Sequence, residues 1–226
     1  MLLRYPISIL IYLVPAILVS LTFHELAHAY VSYKLGDPTA KNMGRLSLNP
    51  LKHLDIFGTI MLLISSFGWA KPVPINPMYY DNRKRGTMLV SIAGPLSNVL
   101  LALIFALPKQ YISAKYGIPA SYQYLPSWDY RAVIFNLSAV FFTINIGLAV
   151  FNILPVPPLD GSKILSGILP SNQYYKFLQY ENYIGVVFLL VVFAFPRLLS
   201  TIMYPFTWVL TTAINIVATP LANLLL

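Results

Sequence analysis

Along the chain, long apolar stretches alternate with short segments rich in proline, glycine, asparagine and charge. The first apolar stretch, from about Pro6 to Tyr33, exceeds the ~20 residues a helix needs to cross a bilayer. Similar stretches run from about Gly86 to Leu107, Ala132 to Leu154, Phe177 to Phe195 and Ser200 to Leu225. Pro155, Pro157 and Pro158 stop the third, and Pro205 and Pro220 bend the fifth. The first has a single basic residue before it and no small-x-small cleavage site ahead of Thr22, so it reads as a retained span rather than a signal peptide. The pattern predicts an all-α polytopic membrane protein of about five transmembrane helices, folded as a single membrane-embedded domain over residues 1–226.

The stretch from Gly36 to Arg85 breaks this rhythm. Turn signals fall at Gly36-Asp37-Pro38, Asn42-Met43-Gly44 and Asn49-Pro50. Leu46 and Leu48 alternate with polar residues, which predicts a short hairpin around Thr39 to Asn49. Phe57 to Trp69 is apolar, but as a helix it covers only roughly 20 Å, too short to span alone, and is expected to be re-entrant. If it does not cross, the end of the first span and the start of the segment after Leu154 lie on one side of the membrane.

Composition agrees with the pattern. The 226 residues are 58% hydrophobic and 10% charged, against about 25% charged in soluble domains. There are no cysteines, which excludes disulfides, thiolate catalysis and cysteine-ligated metals. The net charge of +8 does not signal nucleic acid, because the basic residues form no long run and flank apolar segments instead. Ten of the fifteen Lys and Arg fall between Lys34 and Arg85 or at Lys163 and Lys176. The positive-inside rule therefore places that side in the cytoplasm, with the cell membrane the expected location.

The candidate chemistry sits inside the first span. Residues 24–28 read His-Glu-Leu-Ala-His. On a helix His24 and His28 share one face and reach one zinc, while Glu25 projects about 100° away, where it contacts water rather than the metal. Ionisable residues within a span are costly and mark function by default. A third ligand must come from His53 or from the acids Asp37, Asp55, Asp81, Asp129, Asp160 and Glu181. Asp160 stands out because it follows a proline-broken span end and precedes Gly161; the alternative is an ordinary interfacial Asp that caps a helix.

Three motifs, Phe23-His-Glu-Leu-Ala-His28, Ala93-Gly-Pro-Leu-Ser-Asn98 and Asn152-Ile-Leu-Pro-Val-Pro-Pro-Leu-Asp-Gly161, together with Gly44-Arg-Leu-Ser-Leu-Asn-Pro50 and Lys71 to Pro77, occur in an order that resembles the site-2 protease family of intramembrane zinc metalloproteases. The resemblance covers roughly Leu21 to Lys163 and leaves the last helices, 177–225, without a readable motif. It implies one zinc per chain on His24, His28 and Asp160, with Glu25 as general base. It also implies that Asn152 positions substrate or stabilises the oxyanion, and that Gly94 and Asn98 lie beside the site. The simpler reading of Asn98 and Asn152 is interhelical hydrogen bonding, and of Gly94-Pro95 a packing kink. No loop here has room for the PDZ or nucleotide-sensing domains of larger family members, so a minimal form is expected. The implied activity is hydrolysis of a peptide bond within or near a transmembrane segment of a membrane-protein substrate, as in regulated intramembrane proteolysis. An exposed strand at Arg45 to Asn49 is expected to pair with the unwound substrate. The rivals are a zinc-binding transporter or sensor, and an inactive scaffold that binds helices. Oligomeric state is not legible.

Overall fold

A computed structural model describes residues 7–58, 68–119, 122 and 124–226. Five long or medium helices carry the apolar stretches: α1 (Ile7–Lys34), α3 (Arg83–Tyr116), α4 (Tyr130–Ile153), α6 (Ser171–Ala194) and α7 (Pro196–Asn223). Two shorter ones, α2 (Thr39–Asn42) and α5 (Asp160–Ile168), belong to the connections. Among the described residues four helices are long and apolar enough to cross a membrane, and α6 adds the apolar stretch Gln179–Ala194.

Helix α3 is the centre of the bundle and packs against α1, α4, α5 and α7. Ala102 and Ala106 of α3 and Ala218 of α7 are fully buried and close around Phe142, Ile146 and Ile214. Small residues are what close packing requires in lipid, where helices gain nothing by hiding apolar surface from water. The second span was expected to end at Leu107, before Pro108, but α3 continues for two more turns. Pro108 removes one backbone bond, and the turns beyond it are held by Ile112 packed on Phe135 and Ala139 of α4. The helix stops at Gly117, whose φ of 63° lets its N–H, like that of Ile118, return to the Ser113 carbonyl. Asp129 starts α4 by accepting the Ala132 N–H at 2.9 Å.

The connection between α1 and α3 departs from expectation in one place and matches it in another. No hairpin forms over Thr39 to Asn49. Asp37 Oδ1 accepts the Thr39 N–H and starts the one-turn helix α2 there. Arg45 then turns inward, and His53 Nε2 donates to the Ser47 carbonyl at 2.7 Å, so the backbone that would pair is already engaged. Antiparallel pairing occurs further on, between Leu54 and Ala70, with Lys71 N donating to the His53 carbonyl at 2.8 Å. Most of the expected re-entrant segment, residues 59–67, lies outside the described residues. The described residues that flank it, His53 and Lys71, are joined by that hydrogen bond.

Candidate metal centre

Helix α1 carries His24 and His28 one turn apart, facing α3. Asp160 arrives from the other side at the start of α5. His24 Nε2, His28 Nε2 and Asp160 Oδ2 form a nearly equilateral triangle with sides of 3.1 Å. The site is deep: His24 lies ten residues before the end of α1 at Lys34, about 15 Å along the axis.

The hydrogen bonds around the triangle decide what it can hold. His28 Nδ1 lies 2.7 Å from the Val90 carbonyl, which can only accept, so Nδ1 carries the proton. His24 Nδ1 lies 2.7 Å from Asn98 Oδ1 and is a donor for the same reason. Neutral imidazoles protonated at Nδ1 turn bare lone pairs towards each other at Nε2. Asp160 Oδ2 adds another and has no hydrogen-bond donor. Three buried acceptors at 3.1 Å repel one another unless a cation sits between them. Ligands at about 2.05 Å from a tetrahedral zinc lie roughly 3.3 Å apart, so both the donor set and its spacing fit zinc.

Two glycines make the convergence possible. A Cβ on Gly94 would lie 2.4 Å from His28 Nε2 and 2.6 Å from His24 Cε1, so α3 approaches the imidazoles only because this position has no side chain. A Cβ on Gly161 would meet the Ile153 and Leu154 carbonyls at 2.1 and 2.3 Å. Gly161 thus lets α5 begin against the last turn of α4 and brings Asp160 over the histidines.

Glu25 points to a different neighbourhood. Its Oε2 accepts the Val73 N–H at 3.0 Å. The extended Lys71–Asn76 segment that supplies this bond is pinned on both sides. Arg45 donates to the Lys71 and Pro72 carbonyls, and Asn76 N donates to Asp37 Oδ2 at 2.7 Å. Burial lowers the pKa of the Arg45 guanidinium and the nearby Glu25 charge raises it; burial prevails, though the group stays far above neutral pH.

A cavity of about 660 Å³ opens beside the triangle. Glu25, Val73, Asn152 and the three ligand residues line it, together with Phe188 and Phe193 of α6. Asn152 is on the cavity wall, where its Nδ2 donates to the Leu148 carbonyl one turn back. Asn98 and Gly94 do not line the cavity; both lie behind the histidines. Asp37 and His53, weighed from sequence as third ligands, sit elsewhere. Asp37 bonds Ser32, Thr39 and Asn76, and His53 holds Ser47. Arg45, the Val73 amide and the Val90 carbonyl were not singled out from sequence. Only Arg45 had a signal there, as the charge within Gly44 to Pro50.

Four apolar helices around a buried His-His-Asp triangle define an integral membrane protein with a zinc-type metal centre. The sequence profile described as Peptidase family M50 matches residues 12–192, and the chain belongs to this family of membrane metalloproteases. It is 43% identical to the Bacillus subtilis protein named "Putative zinc metalloprotease YwhC", over 90% of this chain and 89% of that one. It is 34% identical to a Methanocaldococcus jannaschii protein of the same description, MJ0611, over 71% and 74% of the two chains. Rip2 of Mycolicibacterium smegmatis, again so described, is 28% identical over 69% of this chain, which spans 56% of that protein. No solved structure resembles the chain to a significant degree.

Proposed function

We propose that the chain is a zinc endopeptidase that cuts membrane proteins within or beside a transmembrane segment, with its site opening toward the cytoplasm. The observation that carries this reading is the triangle of three buried lone pairs with a carboxylate, Glu25, beside it on the wall of one largely apolar cavity. His24, His28 and Asp160 would hold a zinc ion, which would supply Lewis acidity to a scissile carbonyl and a water. Glu25 takes the proton from the attacking water and delivers it to the leaving amine. Because Val73 N–H occupies Oε2, Oε1 is the atom left for the water. Asn152 has a second amide N–H beyond the one given to Leu148, which would stabilise the oxyanion or hold the substrate backbone. The aromatic wall at Phe188 and Phe193 suits the side chains of an unwound apolar segment. The charge distribution along the chain supports the cytoplasmic placement.

Glu25→Gln tests the reading against a transporter or sensor. A peptide bearing one hydrophobic helix, mixed with the protein in detergent micelles, serves as substrate. The variant should keep about one zinc per chain and lose cleavage by at least a hundredfold. A variant that still cleaves would remove Glu25 from the mechanism. Wild type that binds zinc without cleaving any of a panel of such peptides would favour the transporter or sensor.

A further inference from the structure

We infer that Asn145, two hydrogen bonds away from His24, is a positioning residue that sets which ring nitrogen His24 offers. This rests on His24 being a zinc ligand. Nothing in the motifs marks Asn145. It lies in the middle of α4, fully buried, in a mostly apolar helix that also carries Asn136 and Asn152.

The direction of each hydrogen bond follows from its fixed end. The Phe141 carbonyl can only accept, and Asn145 Nδ2 donates to it at 2.8 Å. Asn145 must therefore present Oδ1 on its other side, and there Asn98 Nδ2 donates to it at 2.8 Å. Asn98 in turn must present Oδ1 to His24 Nδ1, 2.7 Å away. That oxygen holds the proton on Nδ1 and leaves the Nε2 lone pair for the metal. If the Asn98 amide were reversed, its N–H would face Nδ1. The ring proton would then move to Nε2 and block coordination.

Asn98 has one other anchor, the Ser20 carbonyl, but at 3.4 Å that contact is long and weak. Asn145 is thus the main determinant of the Asn98 orientation. Ser20 Oγ, 2.8 Å from Asn145 Nδ2, completes the donor pairing of that amide. The chain runs from a backbone carbonyl of α4, through one amide on α4 and one on α3, to a ligand on α1. It ties three helices to one protonation state.

The test is zinc affinity, measured by chelator competition on purified protein with folding followed by thermal unfolding. Asn145→Leu should weaken zinc binding about tenfold. The same substitution placed on Asn98→Asp should not weaken it, because a carboxylate accepts from Nδ1 in either orientation. Asn145→Ala carries the same expectations if the Leu variant fails to fold. An equal loss in the Asn98 and Asn98→Asp backgrounds would show that Asn145 only packs helices and would overturn the inference. So would unchanged affinity in the single variant. Absence of zinc from the wild type would instead remove the metal centre on which the inference rests.

Discussion

The two sides of α1 are held by different kinds of structure. The metal side, His24 and His28, is fixed by groups on α3, and every contact is buried within the bundle. The base side, Glu25, is fixed by the backbone of an extended loop that stays in place through Arg45 and Asp37. Metal binding demands that three atoms agree within tenths of an ångström, and packed helices supply that. A proton carrier beside an entering substrate must tolerate rearrangement around it, and a loop permits that. The difference teaches that zinc occupancy and turnover should separate under mutation, depending on which side is disturbed.

The largest effect should come from the metal side. Gly94→Ala places a methyl 2.4 Å from His28 Nε2, and neither ring can retreat without losing its Nδ1 bond. Zinc content by elemental analysis of the purified protein should fall below about a tenth of an ion per chain, well beyond the 10- to 100-fold affinity loss typical of disturbed outer contacts. Retained zinc would mean that the bundle yields, and the contrast between the two sides would collapse. Gly161→Ala should follow with a smaller loss. Its methyl meets the Ile153 and Leu154 carbonyls at the end of α4 and displaces Asp160 while leaving both histidines in place.

Much of the metal side was legible in the sequence, and little of the base side was. The spacing of His24, Glu25 and His28 on a helix carries its geometry with it. Asp160 needed the crossing count, and the structure does bring it to His24 and His28. Gly94 and Asn98 were expected beside the site, and the structure sets both against the imidazoles. Sequence shows that a small residue and an amide share a helix, not whether they face the cavity or the imidazoles. The loop resisted reading because its order depends on single long-range bonds. Leu46 and Leu48 alternate like a strand, yet Arg45 reaches Lys71 and Pro72 across more than twenty residues, and no local pattern announces that. The extension of α3 past Pro108 was missed because packing against α4 outweighs one lost backbone bond.

On the base side, Arg45→Ala should leave zinc content unchanged and lower kcat on the helix-bearing peptide by roughly 10- to 100-fold, the scale of a misplaced reacting group. Without the guanidinium, Lys71 and Pro72 lose their anchor and the Val73 N–H drifts from Glu25. Arg45→Lys should recover little, since an ammonium cannot reproduce the planar fork across two carbonyls. Loss of zinc in step with activity would show that the loop and the bundle form one unit.

The smallest effect concerns the far anchor of the same loop. Asp37 is fully buried and accepts bonds from Ser32, Thr39 and Asn76. Burial pushes its carboxyl up, but those hydrogen bonds, led by Thr39, outweigh burial and hold it below the ordinary 3.8. A depressed carboxyl adds stability that is fully present above its unfolded value and is lost as the pH falls through the folded one. Asp37→Asn should therefore lower stability near neutral pH by about 1–3 kcal/mol, the cost of weakening a charged hydrogen-bond acceptor. It should also flatten the dependence of thermal unfolding on pH between pH 5 and the most acid pH the detergent tolerates, where the wild type loses its advantage. Tryptophan fluorescence melts at each pH measure both slopes. Parallel slopes in the two proteins would mean that Asp37 does not anchor the loop through its charge. The hold on Glu25 would then come from Arg45 alone.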